Sequence, residues 1–404
     1  MDRSTGDRSP GRVSQRVTRR ALLGWGVAAG VGLVAAAGGG YYALARLRAS
    51  RTSTDLYTYS GHTQGARGLA WSPDGTRLAS WSWDKTVQVW QSTTGQRLLT
   101  YTGHSRGPAS VAWAPDNTRL VSAGVEGSLQ VWQATDGTLM WSYQDHAYDS
   151  ASSTFTYSPD VAWSADGSRI ATAGFPVYLP NELTMTTMQW NATSGRRLLI
   201  YDDPNSQRVA WSPDSTRLAT GGVDQTVTVW PAPPTRGSAA ATAATPTDQG
   251  AGASGPYSPK IWSYQGDIAY VYGLAWSPDG TRLASCGAKP IVLFASNGGV
   301  RIWDAATGRR MLTYRGHSDS VDLRALAWSP DGRYLASGGS DQVVRVWETR
   351  TGQDRLTYYG HVDQPPIYDV ANPYEITAIA WSPDSTRLAT SAMSGPIRVW
   401  RIAT

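Results

Sequence analysis

A short pattern of apolar and polar positions recurs along the chain. In the first copy, LAWSPDGTRLAS at 69–80, two apolar stretches flank the sequence Pro-Asp-Gly. Proline presets the backbone angle φ and glycine accepts a positive φ, so these residues favour a tight turn between two strands. The pattern occurs at 69–80, 111–122, 161–172, 209–220, 274–285, 326–337 and 379–390. It therefore predicts seven strand pairs, each joined by a tight turn.

A second tryptophan follows each copy of the pattern at the end of an alternating run. In TVQVW at 86–90, two valines alternate with polar residues, which is the period-two pattern of a strand. These tryptophans are Trp90, Trp132, Trp190, Trp230, Trp303, Trp347 and Trp400. A further short run, at 97–101 in the first copy, predicts a fourth strand. Because one four-stranded sheet cannot bury both of its faces, the seven sheets are expected to stack around an axis.

The repeats resemble those of the WD40 family over residues 55–404. Gly-His pairs like those of that family stand at 61–62, 103–104, 316–317 and 360–361, and one Trp-Asp pair stands at 303–304. The resemblance implies an all-β, seven-bladed β-propeller. It also implies a hydrogen-bonded chain within a blade, from a histidine through a serine and an acidic residue to the third-strand tryptophan. The matching residues are His62, Ser80, Asp84 and Trp90; His104, Ser122, Glu126 and Trp132; and His317, Ser337, Asp341 and Trp347.

The first strand is expected to close the ring. The segment DLYTY at 55–59 precedes the first repeat and matches fourth-strand segments such as 310–314, whereas the seventh repeat ends at Thr404 without one. We therefore expect 55–59 to pair into the seventh blade, which would remove the open sheet edges. The third, fifth and seventh repeats lack the acidic residue, so their blades are expected to be less rigid or to be braced differently.

The residues before the repeats are expected to form a targeting region. Residues 1–20 are polar and basic, 21–45 carry no charge and could form one hydrophobic helix across a membrane, and 46–54 form a linker. Arg19 and Arg20, followed by Ala-Leu-Leu, resemble a twin-arginine export signal. The propeller is therefore expected to be membrane-anchored or exported and to lie on the extracytoplasmic side, whether or not residues 1–45 are cleaved.

Insertions between the repeats indicate where a partner binds. The insertions at 147–160, 267–272 and 362–375 join a fourth strand to the next first strand, and those at 174–188 and 286–299 join a second strand to a third. Both loop types emerge on one face of a propeller. Their aromatic residues are predicted to contact a protein or peptide, since aromatic side chains supply much of the contact energy at such sites. Alternatively, these aromatics pack against one another and hold the long loops down. They are Tyr148, Phe155, Tyr157, Phe175, Tyr178, Tyr270, Phe294, Tyr368 and Tyr374.

A further segment, 231–259, has a different composition from these insertions. It is rich in Pro, Ala, Thr and Gly and has almost no large apolar residue, so it is predicted to be a disordered loop within the fourth blade. It should leave the propeller from the opposite face, and it contains no recognisable ligand chemistry.

Charge and composition narrow the candidate chemistry. Residues 1–50 carry eight arginines and two aspartates, so the rest of the chain has a net charge of −1 although the total is +5. That balance gives no electrostatic case for a nucleic-acid partner. The only cysteine is Cys286, so no internal disulfide can form. No metal-binding or phosphate-binding motif occurs, and neither a metal nor a cofactor is expected.

These observations favour a non-catalytic, monomeric interaction scaffold held at a membrane. Propellers host many functions, and the fold alone does not choose among them. The alternative is a propeller enzyme, such as a hydrolase or lyase, or a small-ligand binder that uses the central channel.

Overall fold

All regular secondary structure in the described part of the chain is β-strand. The computed structural model describes residues 55–144, 159–179, 182–232, 259–265, 270–288, 299–317, 321–362 and 374–402. The predicted basic region, hydrophobic helix and linker at 1–54 lie outside these residues, as does 233–258 of the segment predicted to be disordered. The described strands form seven four-stranded antiparallel sheets, which are the blades of the propeller.

The blades follow the chain, except that the first strand belongs to the last blade. That strand is β1 (Asp55–Tyr59). Blades one to three are β2 (Ala66–Trp71), β3 (Arg77–Ser82), β4 (Val87–Gln91) and β5 (Arg97–Tyr101); β6 (Pro108–Trp113), β7 (Arg119–Gly124), β8 (Ser128–Gln133) and β9 (Leu139–Gln144); and β10 (Asp160–Trp163), β11 (Arg169–Leu179), β12 (Glu182–Asn191) and β13 (Arg197–Tyr201). Blades four and five are β14 (Ser206–Trp211), β15 (Arg217–Gly222), β16 (Thr226–Pro231) and β17 (Trp262–Gln265); and β18 (Tyr270–Trp276), β19 (Arg282–Ala288), β20 (Val300–Asp304) and β21 (Arg310–Tyr314). Blades six and seven are β22 (Leu323–Trp328), β23 (Tyr334–Gly339), β24 (Val344–Glu348) and β25 (Asp354–Tyr358); and β26 (Ile376–Trp381), β27 (Arg387–Ala392) and β28 (Ile397–Arg401), to which β1 is added.

The first strands of the blades form a closed inner ring. Each contacts the first strand of the next blade, and β26 contacts β2. In blade seven, β1 pairs antiparallel with β28, so that Tyr59 lies opposite Ile397. Two parts of the chain that are far apart in sequence therefore share one sheet. This pairing gives blade seven the same four-stranded form as its neighbours.

The seven third-strand tryptophans form the centre of the packing between neighbouring blades. Each is at most 1% exposed. Tyr101, at the end of the fourth strand of blade one, stacks on Trp132 of blade two with 4.2 Å between ring centroids. Its hydroxyl donates a hydrogen bond to Gln130 at 2.7 Å. Because a stacked aromatic pair buries a large apolar area and the hydroxyl keeps a partner, this contact stabilises the interface without an unsatisfied polar group.

The first-strand tryptophans connect the blades in a second way. The indole N–H of Trp113 in blade two donates to the carbonyl of Ala70 in blade one at 3.0 Å. The guanidinium of Arg77, also in blade one, lies 4.8 Å from the ring centroid of Trp113. The same indole-to-carbonyl bond joins Trp71 to Ala380, Trp211 to Ala162, Trp276 to Ala210, Trp328 to Ala275 and Trp381 to Ala327. We call this arrangement the indole latch.

Two junctions depart from the indole latch. In blade three, the indole of Trp163 donates to Gly167 in its own turn at 3.1 Å instead of to blade two, although Arg119 still covers its ring. Between blades six and seven, Tyr334 occupies the position that arginine holds in the other blades. Trp381 therefore keeps its hydrogen bond to Ala327 but lacks the covering guanidinium.

The hydrogen-bonded chain implied by the family resemblance is present in blade one. His62 contacts Asp84 through Nδ1 at 2.8 Å and Ser80 through Nε2 at 2.8 Å. The indole of Trp90 donates to the same Ser80 hydroxyl at 3.3 Å. Since a carboxylate only accepts, Nδ1 carries the proton, and Nε2 of the neutral ring accepts from the serine. Burial is the largest influence on His62 and lowers its pKa, which favours this neutral form.

Blades two and six contain the same chain of bonds. In blade two Glu126 takes the place of aspartate and contacts His104 at 2.7 Å, while Ser122 links that histidine to Trp132. The blade six residues are His317, Asp341, Ser337 and Trp347. The longer glutamate side chain therefore fills the aspartate position without breaking the chain of bonds.

Blade seven is braced differently. His361 contacts Thr390 at 2.9 Å, and the indole of Trp400 donates to the same threonine at 3.2 Å. Within the described part of the chain, no acidic side chain contacts Nδ1 of His361. Arg398 lies close enough to disfavour a second positive charge on the ring. Complete burial, together with Arg398, lowers the pKa of His361 to about 3.

We expect Ser80→Ala to lower the free energy of unfolding by about 1–3 kcal/mol, because it leaves the buried Trp90 N–H and the His62 nitrogen without partners. Urea unfolding monitored by tryptophan fluorescence measures the change. Ser105→Ala, in the exposed connection to blade two, is the control and should leave the midpoint unchanged. Equal midpoints for the two variants would show that the chain of bonds contributes nothing to stability.

We expect His361 to make the fold sensitive to mild acid. Its pKa in the folded protein lies below the unfolded value of about 6.5, so its contribution is complete above pH 6.5 and falls as the pH drops toward 3. Between pH 7 and pH 5 the loss from this residue should be about 2 kcal/mol. His361→Gln should remove that part of the pH dependence in urea unfolding. An equal loss in the wild type and the variant would contradict this assignment.

Candidate functional site

Most of the predicted partner-binding aromatics lie where the structure gives no side chain. Tyr148, Phe155, Tyr157, Phe294 and Tyr368 lie outside the described residues. For Tyr178 only the backbone is described, and it pairs with Leu183 in blade three. The described side chains are those of Phe175, Tyr270 and Tyr374.

Phe175 packs in the core instead of facing a partner. It is completely buried and belongs to a hydrophobic cluster with Val161, Met188 and Trp190. The reason is that the segment predicted as a loop at 174–188 is an extension of β11 and β12, which pair from Phe175 opposite Thr186 to Leu179 opposite Glu182. For Phe175, the prediction of partner contact is therefore wrong, because its side chain is completely buried in the core of the blade.

Tyr270 and Tyr374 lie at the start of blades five and seven. Tyr270 is 41% exposed and stacks on Tyr272, with 6.1 Å between ring centroids. Tyr374 is half-buried and directly precedes Glu375. Both neighbours, Tyr272 and Glu375, line the central cavity of the propeller. The two predicted tyrosines thus border this cavity.

The propeller geometry explains why these residues come together. In an antiparallel sheet the first strand begins at the end where the second strand turns into the third. Since the first strands form the inner ring, their starting residues surround the central channel at the face where those turns emerge. The strands that flank the insertions begin or end at the same face. We call this the loop face.

The channel opens at the loop face into a cavity of about 850 Å³. Residues from all seven blades supply the charged and aromatic part of its lining. They are Arg67, Trp81, Trp83, Arg106, Asp160, Arg208, Tyr272, Arg324 and Glu375. Its size falls within the range of small-ligand and peptide-side-chain pockets.

Trp83 is the most exposed large apolar side chain described. It lies in the turn between β3 and β4 and is 60% exposed. The guanidinium carbon of Arg67 lies 3.5 Å from the centroid of its ring, which is a close cation–π contact. This contact orients the indole at the rim of the cavity while leaving most of its surface in solvent.

A second cavity, of about 600 Å³, adjoins Trp83 between blades one and seven. Its lining includes Thr63, Gln64, Met393 and Pro396 as well as Arg67 and Trp83. A β-carbon on Gly65 would lie 1.8 Å from the carbonyl oxygen of Met393, so only glycine allows the two blades to approach here. Trp83 therefore stands between the channel and a groove that runs outward along the loop face.

Two charged groups in the cavity are paired with each other. Arg324 Nε lies 2.8 Å from Glu375 Oε2, and the Arg324 guanidinium covers Tyr272 with its carbon 4.8 Å from the ring centroid. Burial is the largest influence on Glu375 and raises its pKa, while Arg324 and Arg67 oppose that rise. Burial likewise lowers the pKa of Arg67. The cavity thus holds charges that are partly withdrawn from water.

The described histidines and the cysteine are engaged outside the channel cavity. His62, His104, His317 and His361 are hydrogen-bonded within blades and do not line that cavity, although His62 lines the second one. The thiol of Cys286 is completely buried, and burial raises its pKa to about 12, so it is not a nucleophile at neutral pH. In the part of the chain that the structure describes, no three His, Cys, Asp or Glu side chains group to hold a metal ion.

Sequence reasoning missed Trp83 and the cavity arginines. The missed signal lies in the register of the repeats, at the fourth residue before each first-strand tryptophan. That position varies from blade to blade, as do the residues on either side of it, whereas the two residues directly before the tryptophan are always an aliphatic residue and an alanine. It is Arg67, Ala109, Pro159, Gln207, Tyr272, Arg324 and Thr377 in turn. Variation at the start of a strand whose end is constant indicates a surface that the fold leaves free to specialise.

Comparison with known proteins identifies the repeats. The family described as "WD domain, G-beta repeat" matches residues 53–91, 95–133, 205–231, 259–304, 308–348 and 352–401. These ranges cover more than half of the chain. They omit blade three, in which β11 and β12 are extended and the indole latch is altered.

Three relatives match shorter stretches. "Protein hir-1" of Neurospora crassa is 28% identical over 148 residues, which are 32% of this chain and 13% of that protein. "Denticleless protein homolog B" of Xenopus laevis is 28% identical over 155 residues, covering 36% of this chain and 19% of that protein. "WD repeat-containing protein WDS homolog" of Arabidopsis thaliana is 30% identical over 79 residues, covering 20% and 13%. The match thus spans less than a fifth of each of these proteins.

The expected location at or beyond a membrane is wrong on these findings. The three relatives come from eukaryotes, namely a fungus, a frog and a plant. Among residues 55–402, within the ranges described, no helix has the length and apolar character needed to span a bilayer.

The blade architecture and the matched repeats agree along the chain. The matched ranges contain every strand of blades one and four to seven and three of the four strands of blade two, and the seven sheets have the strand order that the repeats predict. The chain belongs to the WD40 repeat family of β-propellers.

Proposed function

We propose that this propeller is a non-catalytic scaffold that binds a protein or peptide through its loop face. The observation that carries the proposal is Trp83, an indole that is 60% exposed at the rim of the channel and held in place by Arg67. An exposed tryptophan costs solvation free energy in the free protein, and tryptophan and arginine are the residues most often found at binding hot spots.

The surroundings of Trp83 support the same proposal. The indole separates the channel cavity from the groove between blades one and seven, so a bound segment could cross it and reach both. Tyr270 adds exposed aromatic surface on the far side of the channel. The predicted contact residues Tyr148, Phe155, Tyr157, Tyr178, Phe294, Tyr368 and Tyr374 belong to the same proposed face.

The cavity carboxylates support binding over catalysis. Asp160 accepts hydrogen bonds from the Ser110 hydroxyl at 2.7 Å and from the amides of Val161 and Val209 at 3.0 and 3.2 Å. Glu375 is paired with Arg324. Both carboxylates are therefore used to hold the mouth of the channel together, whereas a general acid or base needs a carboxyl group free to exchange a proton with a substrate.

We expect Trp83→Ala to abolish most of the binding energy of peptides selected on this protein. A random-peptide phage library would be panned on the immobilised full-length chain, and the Kd of each selected peptide measured by fluorescence polarisation. Loss of a hot-spot tryptophan should weaken binding by about 30-fold or more. Leu98→Ala, an exposed apolar truncation on the outer strand of the same blade, should change Kd by less than about twofold.

Thermal unfolding of both variants checks that the fold is intact. Selected peptides that bind Trp83→Ala as tightly as the wild type would place recognition elsewhere and contradict the proposal. A library that yields no binder above background would also count against it, and would direct attention to a small ligand in the 850 Å³ cavity.

A further inference from the structure

The mouth of the channel concentrates positive charge. Among the described residues, its lining contains four arginines, Arg67, Arg106, Arg208 and Arg324, and two carboxylates, Asp160 and Glu375. Asp322 does not line the cavity, although it lies close enough to Glu375 to raise its pKa. The chain outside residues 1–50 has a net charge of −1, so the excess at the mouth reflects where the arginines are placed and not the overall composition.

The two carboxylates do not neutralise this excess. The oxygens of Asp160 accept bonds from a hydroxyl and two backbone amides. Glu375 pairs with Arg324 alone at ion-pair distance. Arg208 donates to backbone carbonyls, with Nε 2.8 Å from the oxygen of Tyr272 and Nη1 3.1 Å from that of Gln207. Its charge is therefore hydrogen-bonded but not compensated by any of these contacts.

The guanidinium groups of Arg67 and Arg324 lie over aromatic rings, with their carbons 3.5 and 4.8 Å from the ring centroids. Arg67 covers Trp83 and Arg324 covers Tyr272. Stacking occupies the face of a guanidinium and leaves its N–H groups, which lie in the plane, to bind an anion. Both arginines lie near enough to Glu375 to lower its pKa, so they converge on one part of the cavity. Among the contacts of the described residues, Arg67 has no hydrogen bond or ion pair.

We infer that the channel mouth is a subsite for an anionic side chain of a bound peptide, either a carboxylate or a phosphorylated hydroxyl. Arg67 and Arg324 would bind the anion, Arg208 would add to the attraction, and the peptide backbone would cross Trp83. Planar guanidinium groups match the geometry of carboxylate and phosphate oxygens, and such charge-assisted bonds are stronger than neutral ones. The inference rests on the proposed function and names the chemistry of its partner.

Four labelled peptides that differ only at their centre test the inference. They have the sequence Gly-Ser-X-X-X-X-Ser-Gly, where X is Glu, phosphoserine, Gln or Lys, and their binding to the full-length protein is measured by fluorescence polarisation. The Glu and phosphoserine peptides should bind at least about tenfold more tightly than the Gln peptide, and the Lys peptide most weakly. The order of the first two identifies a carboxylate or a phosphorylated hydroxyl as the preferred group. Equal binding of the Glu, phosphoserine and Gln peptides would overturn the inference.

Variants locate the subsite. Arg67→Gln should weaken the Glu peptide by about tenfold, because a charge-assisted contact is lost. Arg196→Gln removes the same charge from an exposed turn on the opposite face and should leave Kd within about twofold.

Glu375→Gln should tighten binding, because it removes a competing carboxylate and frees Arg324. Equal losses for Arg67→Gln and Arg196→Gln would show a general effect of net charge and overturn the inference, as would weaker binding by a folded Glu375→Gln variant.

The outcomes for the face and for the subsite are separable. Selected peptides that depend on Trp83 but not on Arg67, and that carry no acidic residue, would retain the proposed function and reject the anionic subsite. Anionic peptides that depend on Arg67 but not on Trp83 would retain the subsite and reject the proposed path across the indole.

Discussion

The hydrogen bond from a first-strand indole to a carbonyl of the preceding blade is the contact on which the ring depends. A four-stranded sheet has two faces to cover, and each blade covers one face of its neighbour only if their relative position is fixed. The bond from Trp113 to Ala70 fixes that position, and Arg77 seals the indole against water. Because this contact recurs at most junctions, the buried third-strand tryptophans need only fill the space that the indole latch defines.

The blades are predictable from the sequence because every repeat carries the same pattern of turn and strand residues. In the first repeat these are the turn residues Asp74 and Gly75 and the alternating valines before Trp90. The other six repeats have equivalent residues, and the strands that they predict are observed. The prediction failed at 174–188, where Phe175 was assigned to a loop although it continues β11. A β-hairpin extension and a long loop differ in long-range pairing, which the local pattern of a single insertion does not reveal.

The candidate site was less predictable than the fold for a geometric reason. Its residues come from different blades, and Arg67 and Arg324 are more than 250 positions apart. Only closure of the ring brings the starts of the first strands to one mouth. The positions of the insertions drew attention to the loop face, yet they gave no sign of Trp83, because its turn has the ordinary length and no insertion marks it. The predicted contact residues lie in insertions, which lengthen the chain. Trp83 instead places an unusual side chain in a turn of the same length as its equivalents.

The pairing of β1 with β28 also sets the order in which the molecule can be completed during synthesis. Among the described strands, Asp55–Tyr59 leaves the ribosome first, whereas its partner, Ile397–Arg401, emerges last. Until then its row of amide and carbonyl groups is an unpaired template that another nascent chain could join. Slow translation would therefore lengthen the time in which this strand can pair with another chain, so the rate of elongation is expected to affect how much protein folds correctly.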